Sequence, residues 1–284
     1  MPYLIAVSLL WAFSFGLIKD RLAGLDAAFI SAARLGLALL VLLPFFRWRG
    51  LTASLALRLT GLGAVQFGLM YLAYNASFQY LQAHEVALFT LSTPIFVTLL
   101  ADALDRNFRP RALLAALIAI GGTAVIVFQG QALKPTATGL LLVQASNLAF
   151  ALGQVGYKRL RAAHTGLNDS AVFALPYAGA FALTAVVAAF RVDYTALTLA
   201  SSQTLTLLYL GILASGAGFF LWNVGATKAS AGTLAVMNNA KIPLAVACSL
   251  LFFGEEADIP RLAASLALLV AAVWLAESRP GQPA

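Results

Sequence analysis

Apolar runs separated by short polar breaks fill this chain almost from end to end. They occupy residues 2–19, 27–46, 58–80, 84–104, 110–128, 136–158, 169–191, 203–225, 231–252 and 259–277. Each is close to the roughly 20 residues that a helix needs to cross a hydrocarbon core. The pattern predicts ten membrane-spanning helices and leaves no stretch for a soluble domain. Pro110 and Pro260 fall where a first helical turn tolerates a missing N–H. Asp26 and Asp169 suit N-cap positions. Met1-Pro2-Tyr3 has no basic lead-in, so the first run is expected to be a retained span and not a cleaved leader.

The last five runs repeat the first five. Ala12-Phe13 and Gly16 match Ala149-Phe150 and Gly153, and Tyr74-Asn75 matches Trp222-Asn223. Ala83 and Ala87 match Ala231 and Ala235, Pro94 matches Pro243, and Pro110-Arg111 matches Pro260-Arg261. The shared order carries more weight than any one identity. Five is an odd number of crossings, so the two repeats must lie oppositely in the bilayer. Residues 1–131 and 132–284 are the expected halves of one integrated transmembrane domain, a construction used by secondary transporters.

Composition sharpens this. The chain has 284 residues, of which 61% are hydrophobic and 10% charged, against about 25% charged in a soluble domain. The formal net charge of +7 reads as a topology signal, not as affinity for nucleic acid. Arg47, Arg49, Arg58, Arg106, Arg109, Arg111, Lys158, Arg159, Arg161, Lys228 and Arg279 fall on one side. They outnumber Lys19, Arg21, Lys134, Arg191 and Arg261 on the other. The basic side is expected to be cytoplasmic, with both termini on it. The single Cys248 lies inside an apolar run and has no internal disulfide or metal-ligand partner. No motif asks for a cofactor or a metal.

Lys241 is the sharpest candidate for function. It lies about ten residues into the ninth run, roughly 15 Å along the axis and near the midplane. A charge there costs about 2.5–3.5 kcal/mol on insertion scales, and its default reading is functional. With Asn238 and Asn239 beside it, the ammonium suits a substrate carboxylate, such as that of an amino acid. The alternative is a lysine that snorkels or pairs with a neighbouring carbonyl. Pro94 and Pro243 hold matching places in mid-run, where a proline removes a backbone bond and kinks the helix. They are the expected hinges, the alternative being static kinks. Phe67, Tyr71, Tyr74 and Phe78 recur on one face of the third run with Asn75 alongside, and Trp222-Asn223 is the counterpart. These groups could form gates or stack on a substrate; ordinary helix packing is the competing reading. Trp48 and Trp274 fit interfacial belts. His84 could relay a proton at an outer gate, although with Glu85 it also suits a solvated helix start. Small residues four apart mark close helix contacts: Ala64 and Gly68, Ala149 and Gly153, Gly211 and Ser215, and Ala263, Ala267 and Ala271.

Several of these stretches resemble the EamA branch of the drug/metabolite transporter superfamily, and within it the YddG-type exporters of amino acids. They are Leu10-Trp11-Ala12-Phe13-Ser14-Phe15-Gly16, Ala32-Ala33-Arg34-Leu35, Thr93-Pro94-Ile95-Phe96 and Phe253-Gly254-Glu255, with the small-residue fifth and tenth runs. The resemblance implies a ten-helix bundle around a central cavity lined by spans 1, 3, 4, 6, 8 and 9. It adds Trp11, Phe15, Gln154 and Lys158 as cavity lining. It also makes span 2 peripheral, so Arg34 is expected to pair or snorkel. The small four-span relatives couple protons through a carboxylate in their first helix; no acidic residue lies inside run 1 or run 6 here.

The leading expectation is a secondary transporter in a bacterial inner membrane. It would export amino acids, aromatic and other, or similar small metabolites by alternating access. All 11 carboxylates lie near run ends or in loops, which favours facilitated movement. A proton-coupled drug/metabolite antiporter is the alternative. An enzyme is not expected, since no nucleophile–base pair, HExxH motif or nucleotide-binding loop is present; a channel would differ by failing to show counterflow. The expected partners are the bilayer and a small molecule, and two fused halves can serve as a monomer.

Overall fold

The computed structural model describes residues 1–22, 24–128, 133–248 and 258–278, without the side chains of 13–20, 83–84 and 248. The candidates Phe15, His84 and Cys248, by their side chains, and the Phe253-Gly254-Glu255 stretch therefore lie outside what is described. The described residues are helical, and no strand occurs among them. In chain order the segments are α1 (Pro2–Arg21), α2 (Ala27–Phe45), α3 (Ala53–Ser77), α4 (Glu85–Asp105), α5 (Pro110–Val127), α6 (Ala137–Ala163), α7 (Asp169–Arg191), α8 (Ser201–Lys228), α9 (Ala231–Cys248) and α10 (Ile259–Glu277). Eight of them, α2 to α8 and α10, are long and apolar enough to cross a membrane. In α1 the described apolar part is Pro2–Ala12, and α9 carries Lys241 and an internal Pro243.

Local chemistry explains the helix starts. Asp26 accepts from the N–H groups of Ala28 (2.7 Å) and Phe29 (3.4 Å) at the head of α2. Thr52, Thr136 and Asp258 do the same for α3, α6 and α10. Pro110 and Pro260 sit in first turns, as the sequence predicts. Asp169 differs from its expected N-cap role. Asn168 caps α7, because the Asp169 carboxylate is taken up by the Tyr157 hydroxyl (2.5 Å) and Arg161 Nε (2.6 Å) of α6.

Departures from regular α geometry in α3, α8 and α4 bear on the site. A π-helical stretch interrupts α3 at Ala64–Leu69 and another interrupts α8 at Leu210–Ala217. Such bulges widen a helix by an extra residue per turn and occur often at functional sites. In α4 the helix ends at Thr90 and restarts at Thr93. Pro94 therefore occupies the first turn of a new helix and not the middle of a kinked one, because the break removes the turn that a mid-helix proline would strain.

The helices pack in pairs. α2 lies against α7 and α8; α5 lies against α10 and α9; α3 lies against α6 and α7; α1 lies against α8 and α9; α4 lies against α5, α6 and α9. Glycines permit the closest approaches. A Cβ on Gly63 would meet the Pro176 backbone at 2.0 Å, and one on Gly179 would meet the Thr60 carbonyl at 2.0 Å. The expected stripe on α10 is corrected: Ala263, Ala267 and Ala271 face outward, and the buried face carries Leu262, Ser265 and Ala272.

One end of the bundle is tied together, and it carries the denser basic loops. The Arg47 N–H donates to the Ala171 carbonyl at 3.0 Å. Lys158 Nζ donates to the Ala229 carbonyl, and Arg159 pairs with Asp105. Asp105 also accepts from Arg109 at 2.5 Å, and Arg109 bonds Asp102.

Candidate functional site

A cavity of about 130 Å³ opens among the helices. Its walls come from six helices plus α2: Trp11 from α1, Arg34 from α2, Met70, Tyr71 and Tyr74 from α3, Thr90 and Thr93 from α4, Ser146, Asn147 and Phe150 from α6, Ala214 and Phe219 from α8, and Lys241 from α9. No Asp or Glu is among these lining residues.

The aromatic part is continuous. Trp11 packs edge-on to Phe219 at 5.4 Å and lies 5.0 Å from Trp222. Phe219 stacks on Phe67 at 4.7 Å and lies 5.7 Å from Tyr71. The π-helical stretch of α8 anchors this cluster by its own backbone. The Trp11 indole N–H donates to the Ala214 carbonyl at 2.9 Å. The Tyr177 hydroxyl reaches the carbonyls of Ser215 and Gly216, each at 2.7 Å. A π bulge frees carbonyls that a regular helix would occupy, and here two aromatic residues take them.

The cationic part is Lys241 and Arg34. Lys241 Nζ sits 5.4 Å from the Trp11 ring centroid, within cation–π range. The Arg34 guanidinium lies 4.4 Å over Tyr71, and its Nε donates to Ser215 Oγ at 3.2 Å. Tyr71 and Ser215 hydroxyls are themselves 3.1 Å apart. The family resemblance makes the helix of Arg34 peripheral; the wide turn of α8 packs against α2, and Arg34 lines the cavity wall.

The break in α4 forms the polar side. Its freed carbonyls are met by protein, as a membrane interior requires. Asn147 and Gln144 of α6 donate to the Phe89 carbonyl at 3.0 and 3.3 Å. The Thr93 hydroxyl donates to the Thr90 carbonyl at 2.8 Å, and Asn239 of α9 donates to the Leu91 carbonyl at 3.1 Å.

Of the sequence-nominated residues, Trp11, Tyr71, Tyr74 and Lys241 line the cavity. Others lie about one turn away, in a buried polar layer toward the tied end. Trp222 Nε1 donates to Gln154 Oε1 at 2.9 Å, Gln154 and Asn238 exchange bonds at 3.3 Å, and Gln66 donates to Asn223 at 3.1 Å. Asn239 is spent on the α4 break. Phe67 is wholly buried behind Phe219. Asn75 donates to Ser31 Oγ at 2.7 Å. Phe78 is exposed and edge-on to Tyr74 at 5.2 Å. Lys158 sits at the tied end on Ala229. Glu85, expected to be solvated, is 3% exposed. Its carboxylate accepts from the N–H groups of Gln82 (2.9 Å) and Lys134 (2.7 Å), fixing the start of α4 to the segment before α6.

Sequence reasoning passes over Thr90, Thr93, Ser146, Asn147, Phe150 and Phe219 as cavity residues. Two of them carry a signal: Phe150 through its place in the repeat beside Ala149, and Thr93 through the Thr93-Pro94-Ile95-Phe96 stretch.

The chain matches the EamA-like transporter family over residues 1–128. A protein of Pseudomonas aeruginosa named "Probable biotin transporter" is 42% identical over 277 residues, covering 97% of this chain and 96% of its own. Proteins named "Biotin transporter" from Salmonella typhimurium and Escherichia coli strain K12 are each 38% identical, covering 97% of this chain and 92% of theirs. A solved crystal structure superposes with a TM-score of 0.80 at 19% identity, covering 97% of this chain and 95% of its own; this likeness speaks to the fold alone. Relatives this similar over nearly the whole length place the helices and cavity in a multi-pass membrane transporter of a small molecule, not an enzyme, and the chain belongs to the EamA-like transporter family.

Proposed function

We propose that the protein carries a small organic anion with an apolar ring body, biotin or a close analogue, across a bacterial inner membrane. One observation carries this reading: an aromatic cavity lined by two cations, Arg34 and Lys241, and, among the described residues, by no carboxylate. Biotin offers a carboxylate, an aliphatic chain and a compact bicycle. Lys241 takes the carboxylate, and Trp11, Phe150 and Phe219 receive the apolar body. Relatives named for biotin support the same choice. The amino-acid export suggested by the sequence is the second reading, favoured by Lys241 and the aromatic wall. An amino acid also brings an ammonium, which would face Arg34 and Lys241 with no lining acid to receive it. A cationic drug meets the same obstacle. The lack of a lining carboxylate likewise favours facilitated movement over carboxylate–proton coupling.

The mechanism proposed is alternating access by two inverted halves, 1–131 and 132–284, with ten crossings and both termini cytoplasmic. Support comes from π stretches in both α3 and α8, from the pairings of α2 with α7 and α5 with α10, and from the basic character of the tied end. Pro94, at the restart of α4, and Pro243, inside α9, serve as hinges. The Gln154–Trp222–Asn238 and Gln66–Asn223 contacts act as the inner gate. In proteoliposomes, labelled biotin should show counterflow that is indifferent to a proton gradient, is not displaced by phenylalanine, and falls at least about tenfold in Lys241→Met, as for a lost bond to a charged group. Counterflow of phenylalanine without biotin would replace this reading with amino-acid transport.

A further inference from the structure

Arg34 is held in one orientation, yet among the described residues its two Nη nitrogens are uncommitted. It is 6% exposed. Its Nε is bonded to Ser215, its plane rests on Tyr71, and Tyr71 and Ser215 are bonded to each other. Among the described residues no carboxylate pairs with it, and no hydrogen bond leaves either Nη. Lys241 likewise has no hydrogen-bond or ion-pair partner among the described residues; its contact is the Trp11 ring. The two cations rest on different rings of one cluster: Arg34 over Tyr71 and Lys241 over Trp11, with Tyr71 and Trp11 each against Phe219, at 5.7 and 5.4 Å. A ligand lying on these rings has both cations within the same cavity wall.

A fixed guanidinium fork suits a planar oxygen acceptor and donates through two N–H groups at once. A flexible ammonium suits a carboxylate as a point charge. From this we infer that Arg34 is a second substrate anchor, binding the ureido carbonyl of a biotin-class ligand while Lys241 holds its carboxylate. The inference rests on the biotin reading above and adds the group that sets specificity. A purely structural Arg34, stapling α2 to α8 through Ser215, would affect every ligand alike.

The test is direct titration of the purified full chain with biotin, with biotinol (an alcohol replacing the carboxylate) and with lipoate (a carboxylate with an apolar ring and no ureido group). Arg34→Gln should weaken biotin and biotinol by roughly 10- to 100-fold, the range for a hydrogen bond to a charged group, and leave lipoate unchanged. Lys241→Met should weaken biotin and lipoate and leave biotinol unchanged. Equal losses for all ligands in Arg34→Gln, or no loss, would overturn the inference. If Arg34→Gln does not fold, Arg34→Lys keeps the charge but not the fork. The biotin-to-lipoate affinity ratio must then narrow, and an unchanged ratio overturns the inference. Wild-type protein that binds no biotin overturns the biotin reading itself; bound biotin whose advantage over lipoate ignores Arg34 overturns this inference alone.

Discussion

Replacing Asn239 with alanine separates a helix-capping role from a substrate-binding one. Asn239 stands two residues from Lys241, which makes it a natural ligand on paper. Its side chain is 2% exposed, and Nδ2 donates to the Leu91 carbonyl at 3.1 Å, across the break in α4. Alanine removes this bond and leaves a buried carbonyl short of a donor, which costs about 1–3 kcal/mol. At roughly 2–4 °C per kcal/mol for a chain near this size, the melting temperature of the purified protein should fall by several degrees. Affinity for biotin should stay within about twofold, because the amide is spent on the Leu91 carbonyl and Asn239 is not among the cavity-lining residues; a twofold change is under about 0.5 kcal/mol. Lys241→Met should do the reverse, weakening biotin while leaving the melt close to wild type. A variant Asn239→Ala that melts normally but binds biotin weakly would refute the capping assignment and return Asn239 to the binding site.

Other tests address packing, charge and topology. Gly63→Ala and Gly179→Ala drive a methyl into rigid backbone at 2.0 Å and should destabilise by about 1–3 kcal/mol. Gly121→Ala, with open space around it, should be neutral or slightly stabilising; thermal melts of the three variants check the contrast. Asp105→Asn removes pairs with Arg109 and Arg159 whose side chains are 35–45% exposed, so stability should change by less than about 1 kcal/mol. The change should shrink further at high salt, read from melts at two ionic strengths. In a Cys248→Ser background, an impermeant thiol reagent on intact cells should label Asp193→Cys and spare Arg49→Cys; the opposite pattern would invert the proposed topology.

Eight of the helices were legible because a bilayer imposes a length and a composition, and those eight meet both among the described residues. The helix starts at Asp26, Pro110 and Pro260 were legible for the same local reason: a cap or a missing N–H acts within one turn. Asp169 was misread because its tertiary partners Tyr157 and Arg161 outbid the local cap. The break at Leu91–Ser92 was not legible either. Pro94 signalled an irregularity nearby, but its position depends on donors from α6 and α9, which no local rule supplies. The site was half visible. Lys241 stood out by the cost of a charge in mid-run. Arg34 carried the same signal, yet its role depends on the π stretch of α8 pressing against α2. Periodicity cannot reveal such a stretch, because one extra residue in a turn leaves no compositional mark.

The distribution of satisfied and unsatisfied polar groups argues for the division of labour proposed here. Gln66, Gln154, Trp222, Asn223 and Asn238 are buried, and they hydrogen-bond one another or nearby carbonyls. Among the described residues these side chains satisfy one another without a ligand, so their bonds stabilise the arrangement seen here. One turn away, Lys241 and the Nη groups of Arg34 face the cavity without such partners among the described residues. A ligand that supplies acceptors to these cations gains charge-assisted bonds, which are stronger than neutral ones. On the proposed alternating-access mechanism, opening the tied end breaks the layer's side-chain bonds, each worth about 0.5–1.5 kcal/mol net. A few such bonds amount to a few kcal/mol, the scale on which differential ligand affinity shifts two conformations. On the alternating-access reading, weakening the layer with Gln154→Leu should therefore change the balance of the two states more than it changes contact with the substrate. Cysteines placed beyond the layer would report it: their labelling rate should rise in Gln154→Leu without ligand, and an unchanged rate would mean that this layer does not hold the gate.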